Sequence, residues 1–289
     1  MRTIPASELI VNGDGSIFHL HLKPEQLADR IVLVGDPDRV TTVAGYFDSR
    51  ECEVSSREFH TITGRYKGKR ITVVSHGIGT DNIDIVLNEL DALANIDLAT
   101  RTVKPDFRPL TLVRVGTSGG LQPFTPVGTY VAAEKSIGFD GVLYFYADNT
   151  AVRDSRFEAE LRTQLAWPLT GIYPYVVSAD ASLVEQIAKD DVIRGVTIAA
   201  NGFYGPQGRE LRLPLADPDL NRKIEAFEYE GRKITNFEME SSSLAGLAAL
   251  MGHRAMTVCC IIAGRVNLRM NTEYKGSLNE LIEKVLDRI

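Results

Sequence analysis

Short apolar runs recur along the chain, and each stops at a glycine, a proline or a polar turn. RIVLVGDP (30–37) reads as a buried strand closed by a turn, and DRVTTVAGYF (38–47) behind it has helical spacing. REFHTITGRYKGKRITVVSHG (57–77) predicts two strands around a Lys-Gly turn. IDIVLNELDALANI (83–96) is an amphipathic or buried helix. PLTLVRVGTSGGL (109–121) predicts a strand entering a glycine loop, and VGTYVAAEKSI (127–137) a further strand. Residues 155–166, 180–190 and 217–229 have helical spacing, while GVTIAANGFYG (195–205) reads as a strand. KITNFEMESSSLAGLAALMG (233–252) predicts a short strand and then a helix rich in alanine and leucine. AMTVCCIIAGRV (255–266) is a strand, and residues 277–288 form a closing helix. Strands alternating with helices predict an α/β fold with a largely parallel or mixed central sheet and helices on both faces. In such sheets binding sites gather where strand ends open into loops. The segments that combine glycine with arginine all fall at those ends.

Composition narrows the setting. A chain of 289 residues with 44% hydrophobic and 24% charged residues suits one large soluble domain over 1–289, with 1–16 as an N-terminal extension. No internal repeat, low-complexity tract or long linker divides it. A net charge of −6 argues against a general nucleic-acid binder, whose basic footprint would dominate the count. Three cysteines, Cys52, Cys259 and Cys260, form no metal-binding spacing and read as reduced thiols. MRTIPASELIVNGDGS lacks the apolar core of a secretory signal, and no run reaches the roughly 18 apolar residues of a membrane span. A cytoplasmic protein without nucleic-acid or membrane partners is expected.

Four stretches carry candidate chemistry. In VGDPDRV the strand ends at Gly35, and a helix opens near Asp38 with Arg39 in its first turn. Free N–H groups, the helix dipole and a guanidinium there favour an anion. A tight turn with a solvated arginine explains the same residues equally well. VRVGTSGGL repeats the logic with Arg114 inside the strand and Thr117 among glycines. A buried arginine needs an anionic partner, either a ligand or a core carboxylate. GxxxxGK[ST] is absent, and no clean GxGxxG follows a strand. NFEMESSSL sets Glu238 and Glu240 around Met239. Two carboxylates on one side of a strand could take a vicinal diol, and two first-turn glutamates stabilising a helix by its dipole fit as well. In GFYGPQGR the pair Phe203–Tyr204 turns through Gly205–Pro206 so that Gln207 and Arg209 point the same way beside a ring.

GDPDRV, REF, RVGTSGG, FYGPQGR and NFEMES occur together in an order and spacing that resembles the nucleoside phosphorylase family that includes the uridine phosphorylases. The likeness runs from about Phe18 to Arg265, and FYGPQGR points to its pyrimidine branch. The resemblance implies a three-layer α/β/α sandwich around a mixed sheet. It implies phosphorolysis of uridine to uracil and ribose 1-phosphate, with phosphate as co-substrate and no organic cofactor or metal. A homo-oligomer is implied too, a dimer or a hexamer built as a trimer of dimers. Other nucleoside phosphorylases, nucleosidases and a non-catalytic nucleoside-binding protein are the rival readings.

Residue by residue, the resemblance assigns phosphate to Gly35, Arg39, Arg114 and Thr117, with Arg57 arriving from a neighbouring subunit. It assigns the ribose to Glu238, Met239 and Glu240, with His19 reaching a neighbour's sugar and Phe18 beside it; His21, or a plain surface histidine, is the alternative reading of His19. The base falls to Phe203, Gln207, Arg209 and Arg265. Arg209, Gln207, Glu240 and Arg114 carry the catalytic work. Uracil shows a carbonyl, an N3–H and a second carbonyl along one edge. Gln207 can accept and donate, while Arg209 only donates. Donors aimed at the base oxygens stabilise the charge that develops there as the glycosidic bond breaks. Where the purine branch carries an aspartate able to protonate the base, this chain has Gly264. Its GIGTDN (77–82) departs from the family pattern, with Asp81 and Asn82 in place of Pro and Ser. Some relatives hold a monovalent cation near that loop and the glutamate of REF, here Glu58.

Overall fold

The computed structural model describes residues 3–264 and 269–289. Among these, the strands are β1 (Arg30–Val34), β2 (Ser49–Ser56), β3 (Phe59–Tyr66), β4 (Lys69–Ser75), β5 (Ile96–Asp97), β6 (Thr102–Val103) and β7 (Thr111–Gly120). They continue with β8 (Tyr130–Gly138), β9 (Tyr175–Ser178), β10 (Ile193–Ala199), β11 (Glu228–Tyr229), β12 (Arg232–Glu238), β13 (Arg254–Gly264) and β14 (Arg269–Met270). The helices are α1 (Pro37–Ala44), α2 (Thr80–Asn95), α3 (Ser155–Gln164), α4 (Ala181–Ile187), α5 (Leu220–Ala226), α6 (Ser241–Met251) and α7 (Lys275–Arg288).

One mixed sheet runs β11-β12-β10-β8-β13-β7-β1-β4-β3-β2. Its central pairs β13–β7, β7–β1 and β1–β4 are parallel. Alternate residues of these strands face opposite layers, as a strand's period of two requires. Val32, Val34, Val113 and Val115 pack with the buried faces of α1, α4 and α7. Ile31, Leu33 and Leu112 pack with α2, α6 and the N-terminal residues Leu9, Ile17, Leu20 and Leu22. This is the three-layer α/β/α arrangement. A third apolar cluster joins α3 and α5 to β10 and β12 through Phe157, Leu161, Ile198 and Ile224. No helix among the described residues is long and apolar enough to cross a membrane.

The sheet also closes on itself. β12 pairs in parallel with β10 and, at its far end, antiparallel with β7 through Asn236–Gly120 and Phe237–Gly119. The strands β12, β10, β8, β13 and β7 therefore form a ring. This corrects the expected glycine loop: Gly116–Gly120 remains strand, paired with Cys259–Gly264 of β13. Its glycines are steric necessities, because a Cβ on Gly116 would lie within 3.0 Å of Cys259 Sγ.

Other boundaries differ for local reasons. β10 ends at Ala199 rather than 205, where its neighbours β8 and β12 run out at Gly138 and Glu238. The expected helix 217–229 is α5 alone, after which the chain turns at Glu230–Gly231 and pairs β11 with β12. The helix expected over 180–190 stops at Ile187. β2 went unread because SRECEVSS is polar and mostly exposed. Among the described residues it is an edge strand, paired with β3 alone. β9 is four residues long and pairs antiparallel with β8.

Candidate active site

The site is built where β1, β4 and β12 end around the middle of β7. β1 leads through Gly35 into α1, whose N-cap Asp36 accepts from the Asp38 N–H at 3.0 Å. Gly35 is needed for close approach: a Cβ there would sit 3.2 Å from the Gly77 carbonyl, which follows β4. Arg39 projects from the first turn of α1, and its Nη1 donates to the Val115 carbonyl of β7 at 3.4 Å. Among the described residues it has no carboxylate within ion-pair distance. Burial draws Arg39 below the ordinary arginine value; Asp36 opposes that, and nearby Arg114 reinforces it.

Arg114, inside β7, is 4% exposed. Its Nη1 donates to Glu238 Oε2 at 2.9 Å, and its Nη2 to Glu240 Oε2. Burial opposes the charge, but Glu240 and then Glu238 hold Arg114 above the ordinary arginine value. Burial raises Glu240, with Arg114 acting against the rise. β12 stops at Glu238, and Glu240 is the N-cap residue of α6. The capping is done by Glu238, which accepts from the N–H groups of Glu240 (2.9 Å) and Ser241 (3.0 Å). Glu240 instead reaches the Gly79 N–H at 2.7 Å, tying α6 to the turn before α2. The helix-capping reading of NFEMES thus holds for Glu238, and both glutamates are the core carboxylates that answer the buried arginine. Met239 is half-buried between them.

The segment 202–209 forms a compact strap. Gln207 and Arg209 both return their N–H groups to the Tyr204 carbonyl, at 3.0 and 2.9 Å. Gly208 adopts φ +65, in the left-handed region that favours glycine. Arg209 Nη1 donates to Gln207 Oε1 and to the Phe203 carbonyl, both at 2.6 Å. Its guanidinium lies 3.8 Å over the Phe203 ring. Gln207 is buried, and Asn221 of α5 donates to its carbonyl at 3.1 Å. The ring, amide and guanidinium expected to read a base are therefore one packed unit. Arg265 lies outside the described residues.

A separate cluster holds the residues expected to serve a neighbouring subunit. Glu89 of α2 meets His19 Nδ1 at 2.6 Å and accepts from the Leu20 N–H at 2.8 Å. Phe18 packs edge-on to His19, and the Arg57 guanidinium lies 5.7 Å from the Phe18 ring centroid. Arg57 is exposed, with φ 55. Among the described residues, no hydrogen bond or ion pair joins this cluster to Arg39, Arg114 or the strap. Thr117 is half-buried within β7, opposite Cys260. Glu58 is exposed, and Asp81 lies in the first turn of α2. Sequence reading missed His76, Cys259, Gly79, Glu89 and Asn221 as parts of this machinery. The SHG after β4 was the one signal for His76, a polar residue interrupting a buried strand end.

The chain belongs to the phosphorylase superfamily, whose family model matches residues 29–287. It is similar to the uridine phosphorylase of Thermococcus kodakarensis, at 29% identity over 88% of this chain and 79% of that protein. A DeoD-type purine nucleoside phosphorylase from Levilactobacillus brevis is 28% identical over 93% of this chain and 97% of its own length. Among solved structures, a Trypanosoma brucei nucleoside phosphorylase described as showing uridine phosphorylase activity superposes with a TM-score of 0.87. It is 29% identical, over 97% of this chain and 98% of that one.

The buried ion group has a stability consequence. Arg114→Met leaves Glu238 and Glu240 buried without their cation, and such a broken pair costs about 3–5 kcal/mol. Adding Glu240→Gln to that variant recovers part of the loss. Urea denaturation of the three proteins measures it. A single variant within about 1 kcal/mol of wild type contradicts the assigned pairing.

Proposed function

We propose that the chain catalyses the reversible phosphorolysis of uridine to uracil and α-ribose 1-phosphate. The observation that carries this reading is Arg39. It is a half-buried cation beside Arg114, with no carboxylate of its own among the described residues, at a helix start where an anion is favoured. A nucleosidase that uses water has no use for such a pair. Phosphate held there attacks the anomeric carbon from the face opposite the base. The C1′–N1 bond breaks, and its electron pair passes to the uracil ring, which takes a proton from water. Gln207 and Arg209 offer donors to the oxygens that gain charge, and one such donor is worth about 2.7–4 kcal/mol. Glu240 and Glu238 take the ribose hydroxyls, and Met239 gives the sugar an apolar floor. Substrate positioning and charge stabilisation supply most of the rate.

The similarity to purine enzymes makes purine nucleosides the rival substrate. β13 ends at Gly264, opposite Gly120, so this position offers no acid to a purine leaving group. A nucleoside panel with and without phosphate tests the assignment. Uracil release from uridine that requires phosphate, with inosine and adenosine nearly untouched, is expected. Inosine cleavage at rates like those on uridine overturns the pyrimidine reading, and release that ignores phosphate overturns phosphorolysis.

We further propose that the working form is a cytoplasmic homo-oligomer built from twofold dimers, a dimer or a hexamer of three dimers. The support is the separateness of the Phe18–His19–Arg57 cluster, which carries an exposed cation that the site of its own chain does not use. In a twofold pair this cluster serves the neighbour's site, closing it from water. Mixing inactive Arg57→Ala and inactive Glu240→Gln chains tests this. Subunit exchange should restore activity, since a mixed dimer has one site free of both changes. No recovery after demonstrated exchange means that each chain builds its own site.

A further inference from the structure

The guanidinium of Arg114 has another partner, from the end of β4. His76 is fully buried, and its Nε2 lies 3.1 Å from Arg114 Nε. Arginine cannot accept, so the imidazole does, and the proton of the neutral ring sits on Nδ1. That Nδ1 has no hydrogen-bond partner among the described residues. Burial, then the Arg114 and Arg39 charges, hold His76 well below the usual histidine value; the Gly77 backbone, near but outside hydrogen-bond geometry, pulls weakly the other way.

An accounting of donors shows what this does. A guanidinium has five N–H groups. Arg114 spends Nε on His76, both Nη1 hydrogens on Glu238 and Cys259, and one Nη2 hydrogen on Glu240. Among the described residues one Nη2 hydrogen is left without a partner. Two carboxylates already bear on this arginine, so a third at Nε would leave little attraction for an anion. A neutral acceptor satisfies Nε and adds no negative charge.

We propose that His76 is a positioning residue for phosphate: its neutral imidazole fixes the plane of Arg114 while leaving the positive field of Arg114 and Arg39 available to the anion. The proposal rests on the reading of Arg39 and Arg114 as the phosphate site. It also accounts for a buried ring nitrogen that lacks a partner among the described residues. The ring occupies its place for what Nε2 accepts, and the cost at Nδ1 is tolerated.

Calorimetric titration with inorganic phosphate, together with steady-state kinetics on uridine, tests this on three full-length variants. His76→Phe keeps the bulk and removes the acceptor. It should weaken phosphate binding about tenfold or more, a factor worth about 1.4 kcal/mol, and leave the KM for uridine within about threefold. His76→Gln restores a neutral acceptor and should bind phosphate within about threefold of wild type. His76→Glu restores an acceptor but adds charge, and should bind phosphate more weakly than His76→Phe. Melting curves establish that each variant is folded. Phosphate binding by His76→Phe equal to wild type overturns the positioning role, as does folded His76→Gln binding as weakly as folded His76→Phe. If His76→Phe does not fold, the order of Gln over Glu decides, and equal binding by those two overturns the proposal. A wild-type protein that binds no phosphate at all removes the underlying reading of the site instead.

Discussion

The structure depends on burying one guanidinium in the middle of its sheet. An unpaired charge in such a place is untenable, so every neighbour of Arg114 is constrained to answer it. Glu238 ends β12 and Glu240 begins α6, and both turn inward to meet it. The bond from Gly79 to Glu240 then fixes the turn before α2, and His76 closes the remaining side. Three stretches that are distant in sequence, the β4–α2 turn, the middle of β7 and the β12–α6 junction, are thereby locked at one point. Beside that point stands Arg39, half-buried and, among the described residues, without a carboxylate at ion-pair distance. Among the described residues two carboxylates and two cations meet here, and only Arg114 is ion-paired.

Closure of the sheet brings the two halves of the site together. β7 carries Arg114 at its middle and pairs with β12 at its end, so the ion group and the start of α6 share one strand pair. β12 also pairs with β10, whose continuation is the 202–209 strap. The Arg114 ion group, the start of α6 and the strand end that leads into the strap are thus fixed relative to one another by ladder hydrogen bonds. The glycines of β7 make this possible, since side chains at Gly116 and Gly120 would collide with Arg114, Cys259 and Thr125.

Much of this was legible in the sequence because buried strands announce themselves. RIVLV, ITVV and the run before Gly116 are apolar, bounded and alternate with helical spacing, which is enough to fix the α/β class. β2 and β11 were not legible, because an exposed edge strand of polar residues has no periodic signature until its partner is known. The glycine run was misread as a loop, since glycine also marks strands that other chain segments approach closely. At the site, arginines and glutamates flagged themselves by being costly to bury. His76, Glu89 and Asn221 hydrogen-bond to other candidate residues, and only the folded contacts reveal this.

The central claim is that the Arg39–Arg114 site delivers phosphate to the sugar. The most direct measurement is the product balance from uridine in phosphate buffer, followed by phosphorus and proton NMR. The account predicts one α-ribose 1-phosphate for each uracil released, with no free ribose. Uracil accompanied by free ribose would contradict it, because water rather than the bound anion would then be the nucleophile.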